Sequence, residues 1–407
     1  MQRVTNAIAA VRLGIPVLIQ DDHQRENEVD IVIAAERITA HGVNTALTFA
    51  RGLVCVALDQ GIAQRLSLPL QQTQFSSRYN TAFTVAVDIR DGTTTGISAA
   101  DRARTITALI DPARTLSDFV VPGHVFPVLA ADGGVFARQG HTEAAVDLMR
   151  IAGVTPAAMM CEVLDAHGAA LRGVEAITLA QAQGWPMLSV EDIREYRLQT
   201  EQLVSVHAAA NLPTMFGTFE VLVYAMAGES EPIIALVQRG KNNAPWGDEA
   251  LVRLNSSCLT GDVLGSLRCD CRDQLAGALT RIQDAGEGVL LYLPQEGRGI
   301  GIAEKIRAYA LQEQGMDTVD ANLHLGYPID GRHYGFAAQV LKHLGLKSIR
   351  ILTNNPKKIE ALEQYGILIL GREPLETTPT PHNINYLITK QQRLGHLLDA
   401  TLRGMRT

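Results

Sequence analysis

The sequence predicts a mixed α/β (α+β) fold of two domains, each a mixed sheet covered by helices. The chain's 407 residues are too many for one ordinary hydrophobic core and suit two cores of about 200 residues each. Short β-like runs alternate with helical runs, and the alternation pauses in the polar stretch 197–204. That stretch contains neither Pro nor Gly, so we expect a helical or short connector there. We place the boundary within it, between domains 1–199 and 200–407.

Apolar and alternating runs mark the predicted strands, and helical spacing marks the predicted helices. The strands are 16–20, 52–58, 83–89, 221–227, 232–238, 288–294 and 348–354, and the helices include 141–153, 302–315 and 356–366. We expect Thr142 to cap the helix at 141–153 and Gly153 to end it. Asn355 as cap and Pro356 at the first helical position predict the start of the last helix.

Composition and charge restrict the class of protein. Hydrophobic residues make up 46% and charged residues 19% of the chain, which is typical of a globular protein. The formal net charge of −7 argues against nonspecific nucleic-acid binding but leaves room for local phosphate pockets. No apolar run reaches the roughly 18 residues of a membrane span, and no signal peptide is expected. Five cysteines, an odd number, favour a reducing cytoplasm over a disulfide framework.

Three of the cysteines, Cys258, Cys269 and Cys271, fall within fourteen positions. Zinc favours thiolate ligands, and three of them leave a fourth position for water, whose pKa the metal lowers. A structural zinc completed by a distant histidine, or buried thiols without metal, would fit the same spacing. Arg268 and Asp270 interleave the cysteines, which is unusual for a buried apolar strand. We therefore favour an open, catalytic zinc site.

Two strand-to-helix junctions near the thiols suit anionic ligands. At the first, Gly297, Gly299 and Gly301 allow close backbone approach and Arg298 offers a phosphate partner. At the second, Lys357 and Lys358 occupy a first helical turn, where the helix dipole disfavours cations. A bound anion would resolve that conflict, and two solvated lysines are the alternative.

Five motifs in order resemble GTP cyclohydrolase II over roughly residues 203–397. They are SLRCDC, QEGRGIG, KIRAYALQEQG, LGYPIDGR and LTNNPKK. The resemblance implies a zinc-dependent opening of the guanine imidazole ring with release of formate and diphosphate. The product it implies is 2,5-diamino-6-ribosylamino-4(3H)-pyrimidinone 5′-phosphate.

The resemblance also implies roles for single residues. Cys258, Cys269 and Cys271 match the zinc ligands, Asp330 matches the proton acceptor, and Arg332 matches the group proposed to attack the α-phosphate. From the residues alone, Asp330 and Arg332 suggest a surface ion pair. The positions that match GTP contacts are Arg253, Leu254, Asn255, Ser256, Ser257, Gln274, Glu296, Gly297, Arg298, Thr318, Thr353 and Lys358.

The N-terminal half carries an acidic loop, DDHQRENEVD, after a predicted strand, and a helix that begins at GHTEAAVDLM. The loop suits Mg²⁺, although a solvated acidic loop is the simpler interpretation. Arg138, His141 and Thr142 at the helix start suit an anionic phosphate. His124, in VPGHVFP, fits either a site residue or a core histidine that bonds to the backbone.

These segments, with FTVAVDI, GTTTGISAADR and CEVL, resemble 3,4-dihydroxy-2-butanone 4-phosphate synthase over residues 1–197. The resemblance implies conversion of ribulose 5-phosphate with loss of C4 as formate, assisted by Mg²⁺ or Mn²⁺. Glu26 and His141 match the metal ligands, and His124 and Glu162 match positions essential to catalysis. Substrate contacts are implied for Arg25, Glu26, Asp30, Arg138, Gln139, Gly140, His141 and Thr142. The order of the halves is that of the bifunctional riboflavin-biosynthesis family, which suggests a homodimer or larger homo-oligomer.

The chain departs from the family patterns beside several of these residues. Asn255 and Ser257 stand where GTP cyclohydrolase II has His and Glu, and Val29, Val121 and Gln139 replace Gly, Arg and Gly in the synthase motifs. A β-branched Val29 cannot adopt the positive φ that glycine tolerates, which would reshape the metal loop if one is needed there. Two alternatives to a working bifunctional enzyme stay open at this point. One is a diverged paralogue with a weakened or altered half in a specialised flavin- or pyrimidine-derived pathway, and the other is a silent assembly partner.

Overall fold

The structure is a computed structural model that describes residues 1–22, 25–71, 81–240, 246–247 and 249–398. The chain divides into two compact units, Met1–Thr200 and Glu201–Thr407. Within the described ranges, no helix is long and apolar enough to cross a membrane.

The N-terminal unit is a mixed eight-stranded sheet with helices packed on it. Its strands are β1 (Val17–Gln20), β2 (Val29–Ala34), β3 (Cys55–Leu58), β4 (Ala82–Phe83), β5 (Val87–Ile89), β6 (Phe119–Leu129), β7 (Ala157–Glu162) and β8 (Met187–Ser189). Its helices are α1 (Gln2–Leu13), α2 (Ala40–Phe49), α3 (Gln60–Leu66), α4 (Ala99–Ile110), α5 (His141–Ala152), α6 (Gly173–Gln183) and α7 (Val190–Thr200). The strand order is β4-β6-β3-β7-β2-β1-β8, with β5 on β6. The pairs β1–β8 and β3–β6 are parallel and the other pairs antiparallel.

Alternate residues of β2 explain the packing of this unit. Val29, Ile31 and Ile33 belong to one buried cluster with Val43 of α2 and Ile106 of α4. The whole of β2 is buried, Asp30 included, so both faces of the sheet are covered at this central strand. Near the domain boundary, α7 runs to Thr200, as the polar connector predicts.

Two local predictions in this unit are wrong. The stretch 83–89 forms two short strands, because the four steps from Phe83 to Val87 face only three steps of β6, from Val128 to Val125. One extra residue interrupts the ladder there. Thr142 is not the cap of α5: Gly140 holds that position and Thr142 lies inside the helix, whereas Gly153 ends it as predicted.

The C-terminal unit is a mixed seven-stranded sheet. Its strands are β9 (Val204–Thr214), β10 (Gly217–Met226), β11 (Ile233–Gln238), β12 (Leu251–Ser256), β13 (Gly288–Leu293), β14 (Ser348–Leu352) and β15 (Leu368–Glu373). Its helices are α8 (Cys271–Ala285), α9 (Gly301–Glu313), α10 (Thr318–His324), α11 (Gly335–His343), α12 (Pro356–Gln364) and α13 (Ile384–Leu394). The strand order is β15-β14-β12-β13-β11-β10-β9.

The central strands of this sheet position the candidate site. β13, β12, β14 and β15 are parallel neighbours, so their carboxyl ends lie at one edge of the sheet. Leu279 and Ile282 of α8 pack on Leu251 and Leu290 and hold that helix against the sheet. The segments that follow β12, β13 and β14 carry the thiols, the glycine-rich turn and the lysine pair. Ligand sites of α/β sheets form at this edge.

Candidate active sites

The three cysteine sulfurs of the C-terminal unit meet at one point. Cys258 follows β12, Cys269 lies in the next loop, and Cys271 begins α8. All three sulfurs lie within 4.8 Å of one another, and those of Cys258 and Cys269 are 3.8 Å apart. Two sulfurs each about 2.3 Å from one tetrahedral zinc would be about 3.8 Å apart. The donor set and its spacing therefore fit zinc with three protein ligands.

Gly261 approaches this cluster so closely that a side chain has no room. A Cβ at this position would lie 2.8 Å from the sulfur of Cys269 and 3.1 Å from that of Cys258. We expect Gly261→Ala to displace a thiol and weaken zinc binding by about 10-fold or more. Competition with a chromogenic chelator measures the effect. In the matched control Gly277→Ala, the new Cβ would lie 3.5 Å from Leu375, and an unchanged affinity is expected there. Equal zinc affinities of the two variants would contradict this prediction.

Two charged side chains, Lys305 and Asp262, form hydrogen bonds with Cys258. Lys305 donates to the Cys258 sulfur over 3.1 Å and to Glu296 over 2.7 Å. Asp262 accepts from the Cys258 backbone N–H at 3.0 Å and from the Tyr292 hydroxyl at 2.9 Å. Burial raises the pKa of Asp262 to about 6. Lys305 thus ties a thiol to the glycine-rich turn that Glu296 begins.

The thiols open into a cleft with an empty volume of about 1150 Å³. Most of the residues predicted to contact GTP line it: Arg253, Asn255, Ser256, Ser257, Gln274, Gly297, Arg298, Thr318, Thr353 and Lys358, together with Arg332. Leu254, Glu296 and Asp330 are not among the described residues that line the cleft, but each forms a hydrogen bond or ion pair with a residue that does. The Leu254 carbonyl accepts from Lys358 Nζ at 2.7 Å, Glu296 pairs with Lys305, and Asp330 pairs with Arg332.

The lysine pair at the start of α12 has two different environments. Asn355 caps the helix by accepting from the Lys357 backbone N–H, as predicted. Lys357 is exposed, so the solvated interpretation is right for it. Lys358 is 5% exposed and lines the cleft. Burial lowers the pKa of Lys358, and the nearby charges of Arg253 and Arg332 lower it further. A bound anion would relieve that repulsion.

Asp330 and Arg332 form a largely buried pair, so the surface ion pair suggested by the residues alone is wrong. Their side chains are 16% and 12% exposed. Arg332 donates from Nε and Nη2 to the two carboxylate oxygens, at 2.8 and 2.6 Å. Burial raises the pKa of Asp330, but the hydrogen bonds and charge of Arg332 outweigh it and hold the pKa below its usual value. Asp330 therefore orients the guanidinium as a carboxylate.

Sequence analysis did not single out several residues of the cleft. Tyr386 and Lys390 of α13, His396 just after it, and Lys305 and Tyr309 of α9 all line the cavity. Burial, reinforced by surrounding cations, lowers the pKa of His396 to about 2, so its imidazole stays neutral. Lys305 and Tyr309 fall within the KIRAYALQEQG motif, which could have suggested them. The α13 residues come from a segment without a motif.

The N-terminal unit brings an imidazole and two carboxylates together. His141, at the start of α5, has Nδ1 3.6 Å from Glu26 and Nε2 3.9 Å from Asp21. Oxygen and imidazole donors without thiolate suit Mg²⁺ or Mn²⁺. Sequence reasoning missed Asp21, whose carboxylate accepts from the backbone N–H groups of Glu26 and Glu28 and so shapes the loop. Burial lowers the pKa of His141, but the neighbouring carboxylates, Asp30 first, outweigh it and raise the pKa to about 9.

A pocket of about 480 Å³ adjoins this cluster. Predicted residues that line it are Arg25, Glu26, Asp30, Arg138, His141, Thr142 and Glu162. Burial raises the pKa of Asp30 to about 7. Glu162 accepts from the Leu53 backbone N–H at 3.0 Å, which fixes its carboxylate beside the pocket.

Three predicted residues of this half are not among the described lining of the pocket: Gln139, Gly140 and His124. Gln139 is exposed, and Gly140 caps α5. His124 is not a core histidine, because its side chain is 43% exposed. Its Nδ1 lies 2.7 Å from Asp88, which also accepts from the His124 backbone N–H.

The concern over Val29 is not realised. Val29 lies in β2, paired with Gln20, and its side chain is fully buried in the sheet core. Among the described residues of the loop, a positive φ of 54° falls at Asn27, a residue type that tolerates it. The metal loop therefore forms without glycine at position 29. Val121, in β6, is 53% exposed. It is not among the described residues that line the pocket.

Comparison with known proteins matches each compact unit to a family. Residues 5–196 match the 3,4-dihydroxy-2-butanone 4-phosphate synthase family, and residues 204–374 match the GTP cyclohydrolase II family. The riboflavin biosynthesis protein RibBA of Bacillus cereus is 47% identical over 397 residues, which span 98% of this chain and 99% of the relative. This chain belongs to the RibBA family. It is a bifunctional riboflavin-biosynthesis protein with a synthase (lyase) domain and a cyclohydrolase (hydrolase) domain.

Other relatives share the two-domain organisation. RibBA of Bacillus cytotoxicus is 46% identical over 397 residues, again 98% of this chain and 99% of the relative. The crystal structure of RibBX, a two-domain 3,4-dihydroxy-2-butanone 4-phosphate synthase from A. baumannii, aligns with a TM-score of 0.69 at 30% identity. The alignment covers 92% of this chain and 99% of the RibBX chain.

Proposed function

We propose that both halves of this RibBA-family chain release formate, from ribulose 5-phosphate in the N-terminal pocket and from GTP in the C-terminal cleft. Each activity is assigned to its own compact unit. The observation that carries the proposal is the three-thiol cluster, spaced for zinc and open to a cleft lined by cationic side chains. The five described cysteines are all free thiols, which supports a cytoplasmic setting.

In the cleft, Cys258, Cys269 and Cys271 would hold zinc, which supplies Lewis-acid activation of water for opening the imidazole ring. Arg298, Arg332 and Lys358 bind the triphosphate, because all three line the cleft and a bound anion would relieve the repulsion between Arg332 and Lys358. Asp330 orients Arg332 toward the α-phosphate through its two hydrogen bonds. The roles of Asp330 as proton acceptor and of Arg332 as attacking group stay predictions of the family resemblance.

In the pocket, Glu26 and His141 would hold Mg²⁺ or Mn²⁺, which supplies polarisation of the enediolate oxygens. Arg138 and Thr142 lie at the start of α5 and bind the phosphate of the sugar. Asp30 and Glu162 line the same pocket. Substrate contact by Asp30 and a catalytic role for Glu162 stay predictions of the family resemblance. A catalytic role for His124 stays a prediction.

We also propose that the chain assembles as a homodimer or larger homo-oligomer. Strand β9 supports this, since it is an edge strand that pairs with β10 alone among the described strands. Its residues from 205 to 213 are exposed, and long exposed edges are normally covered. Light scattering of the purified protein measures the mass, and a monomer at micromolar concentration would contradict this part.

The proposed function is tested with purified protein given GTP or ribulose 5-phosphate in separate samples containing Mg²⁺. Formate is expected from both samples, with diphosphate from GTP only. Formate from only one sample, or from neither, in protein that contains zinc, would overturn the proposal that both halves are active.

The departures at Asn255 and Ser257 predict a weakened cyclohydrolase. Asn255 is buried in β12 and cannot carry a proton near neutral pH, and Ser257 lines the cleft beside Cys258 without a charge. We expect Asn255→His with Ser257→Glu to raise the kcat for GTP by on the order of 10², the usual contribution of a general acid–base group. A lower KM with unchanged kcat would instead assign these positions to nucleotide binding.

The matched control is Asn255→His with Ser257→Gln, which has the size of the revertant without its carboxylate. If the carboxylate assists proton transfer, the control gains less than the revertant. A revertant whose kcat and KM both match those of the unmodified protein, or whose kcat is lower, would refute the weakening.

A further inference from the structure

Helix α13 forms a wall of the nucleotide cleft. Tyr386, Lys390 and Leu394, with His396 just after the helix, line the same cavity as the thiols. The match to the GTP cyclohydrolase II family ends at residue 374, before this helix begins. The comparison with that family therefore assigns no role to α13.

Lys390 connects this helix to the metal-binding turn. Its Nζ donates to Asp270 at 2.8 Å and lies 4.4 Å from the centroid of the Tyr386 ring. Lys390 is 8% and Asp270 2% exposed, so the ion pair is buried. Asp270 stands between Cys269 and Cys271, and its second carboxylate oxygen accepts from Gln274 at 2.5 Å. The contact therefore reaches the turn that presents two of the three thiols.

The C-terminal end of α13 makes further contacts with segments around the cleft. Arg393 forms ion pairs with Asp317 and Asp320, at the start of α10. The Leu397 backbone N–H donates to the Asn354 carbonyl at 2.8 Å, next to the start of α12. The segment from α13 to Leu397 thus contacts α10, the metal-binding turn and the turn before α12.

We propose that Lys390 is a positioning residue for the metal-binding turn, and that through it α13 couples the wall of the nucleotide cleft to the presentation of Cys269 and Cys271. Three thiolates around one divalent cation carry a net negative charge, and buried Asp270 adds to it. Lys390 offsets that charge from the α13 side, while Lys305 contacts Cys258. Removing one partner of a buried pair leaves an uncompensated charge. This inference rests on the proposed zinc site.

The test compares zinc dissociation from full-length variants into excess 4-(2-pyridylazo)resorcinol, at a temperature where circular dichroism shows every variant folded. Lys390→Met is expected to speed zinc loss by about 10- to 100-fold, the range for residues that support metal ligands. Lys390→Arg should stay within a few-fold of the unmodified protein. Adding Asp270→Asn to Lys390→Met should restore most of the retention, because the buried carboxylate that Lys390 neutralised is then uncharged.

Two further variants complete the test. Lys357→Met removes an exposed lysine at the start of α12 and should leave zinc loss unchanged. Lys390→Gln keeps a hydrogen-bond donor without the charge and is expected to speed zinc dissociation to the same extent. It replaces Lys390→Met in the test if that variant does not fold. Unmodified protein without zinc would overturn the proposed function and this inference together. Zinc in the unmodified protein, with unchanged dissociation from Lys390→Met or Lys390→Gln and only a lower melting temperature, would overturn this inference alone.

Discussion

Cys269→Ser is expected to abolish GTP turnover, with a fall of at least about 10³-fold, and to lower zinc from about one equivalent per chain to a small fraction of that. The substitution removes one of three ligands whose sulfurs already lie at zinc spacing, and a serine hydroxyl is a poor ligand at neutral pH. Losing Lewis-acid activation costs several kcal/mol of barrier, which corresponds to that change in rate. Elemental analysis and a formate assay measure both quantities.

The control for this substitution is Cys161→Ala, which removes a buried thiol from the N-terminal unit. It should leave zinc content and GTP turnover as they are. Full GTP activity in Cys269→Ser, or the same zinc content in both variants, would rule out the three-thiol site.

Glu26→Gln is expected to lower ribulose 5-phosphate turnover by about 10³-fold and to leave GTP turnover nearly intact. The amide keeps the shape of the side chain but loses the charge that a hard cation requires, so several kcal/mol of charge stabilisation is lost. GTP chemistry is spared because the thiols lie in the other compact unit. Initial rates with each substrate, at saturating Mg²⁺, measure the two effects.

Glu175→Gln serves as the charge-matched control, since Glu175 lies exposed in the first turn of α6 and should tolerate the change. A folded Glu26→Gln protein that has lost both activities would contradict the assignment of the reactions to separate units. Retention of sugar-phosphate turnover would contradict the metal role of Glu26.

The features predicted correctly from sequence are those that local pattern determines. The strand at 288–294 and the helix that Asn355 and Pro356 begin depend on apolar runs and capping chemistry within a few residues. The prediction of one strand at 83–89 was wrong because the hydrogen-bond ladder there depends on the register of β6, which lies far along the chain. The prediction that Thr142 caps α5 was wrong because Gly140 holds the cap position and the helix begins at His141.

Site residues divide in the same way. Cys258, Cys269 and Cys271 are close in sequence and meet in space as predicted. Asp21 was missed because its carboxylate bonds to backbone N–H groups, which no spacing in a sequence records. Lys390 was missed because its partner, Asp270, is 120 positions away. Such contacts depend on tertiary packing, so a single sequence does not show them.

The most direct measurement supplies both substrates to one sample, with carbon-13 at C8 of GTP and unlabelled ribulose 5-phosphate, and reads formate by mass spectrometry. Labelled formate then reports the cyclohydrolase and unlabelled formate reports the synthase. We predict both, and we predict that stripping zinc with a thiol-competing chelator, followed by Mg²⁺ addition, abolishes labelled formate and preserves unlabelled formate. Formate of one kind only from untreated protein, or parallel loss of both kinds on zinc removal, would contradict two independent active sites.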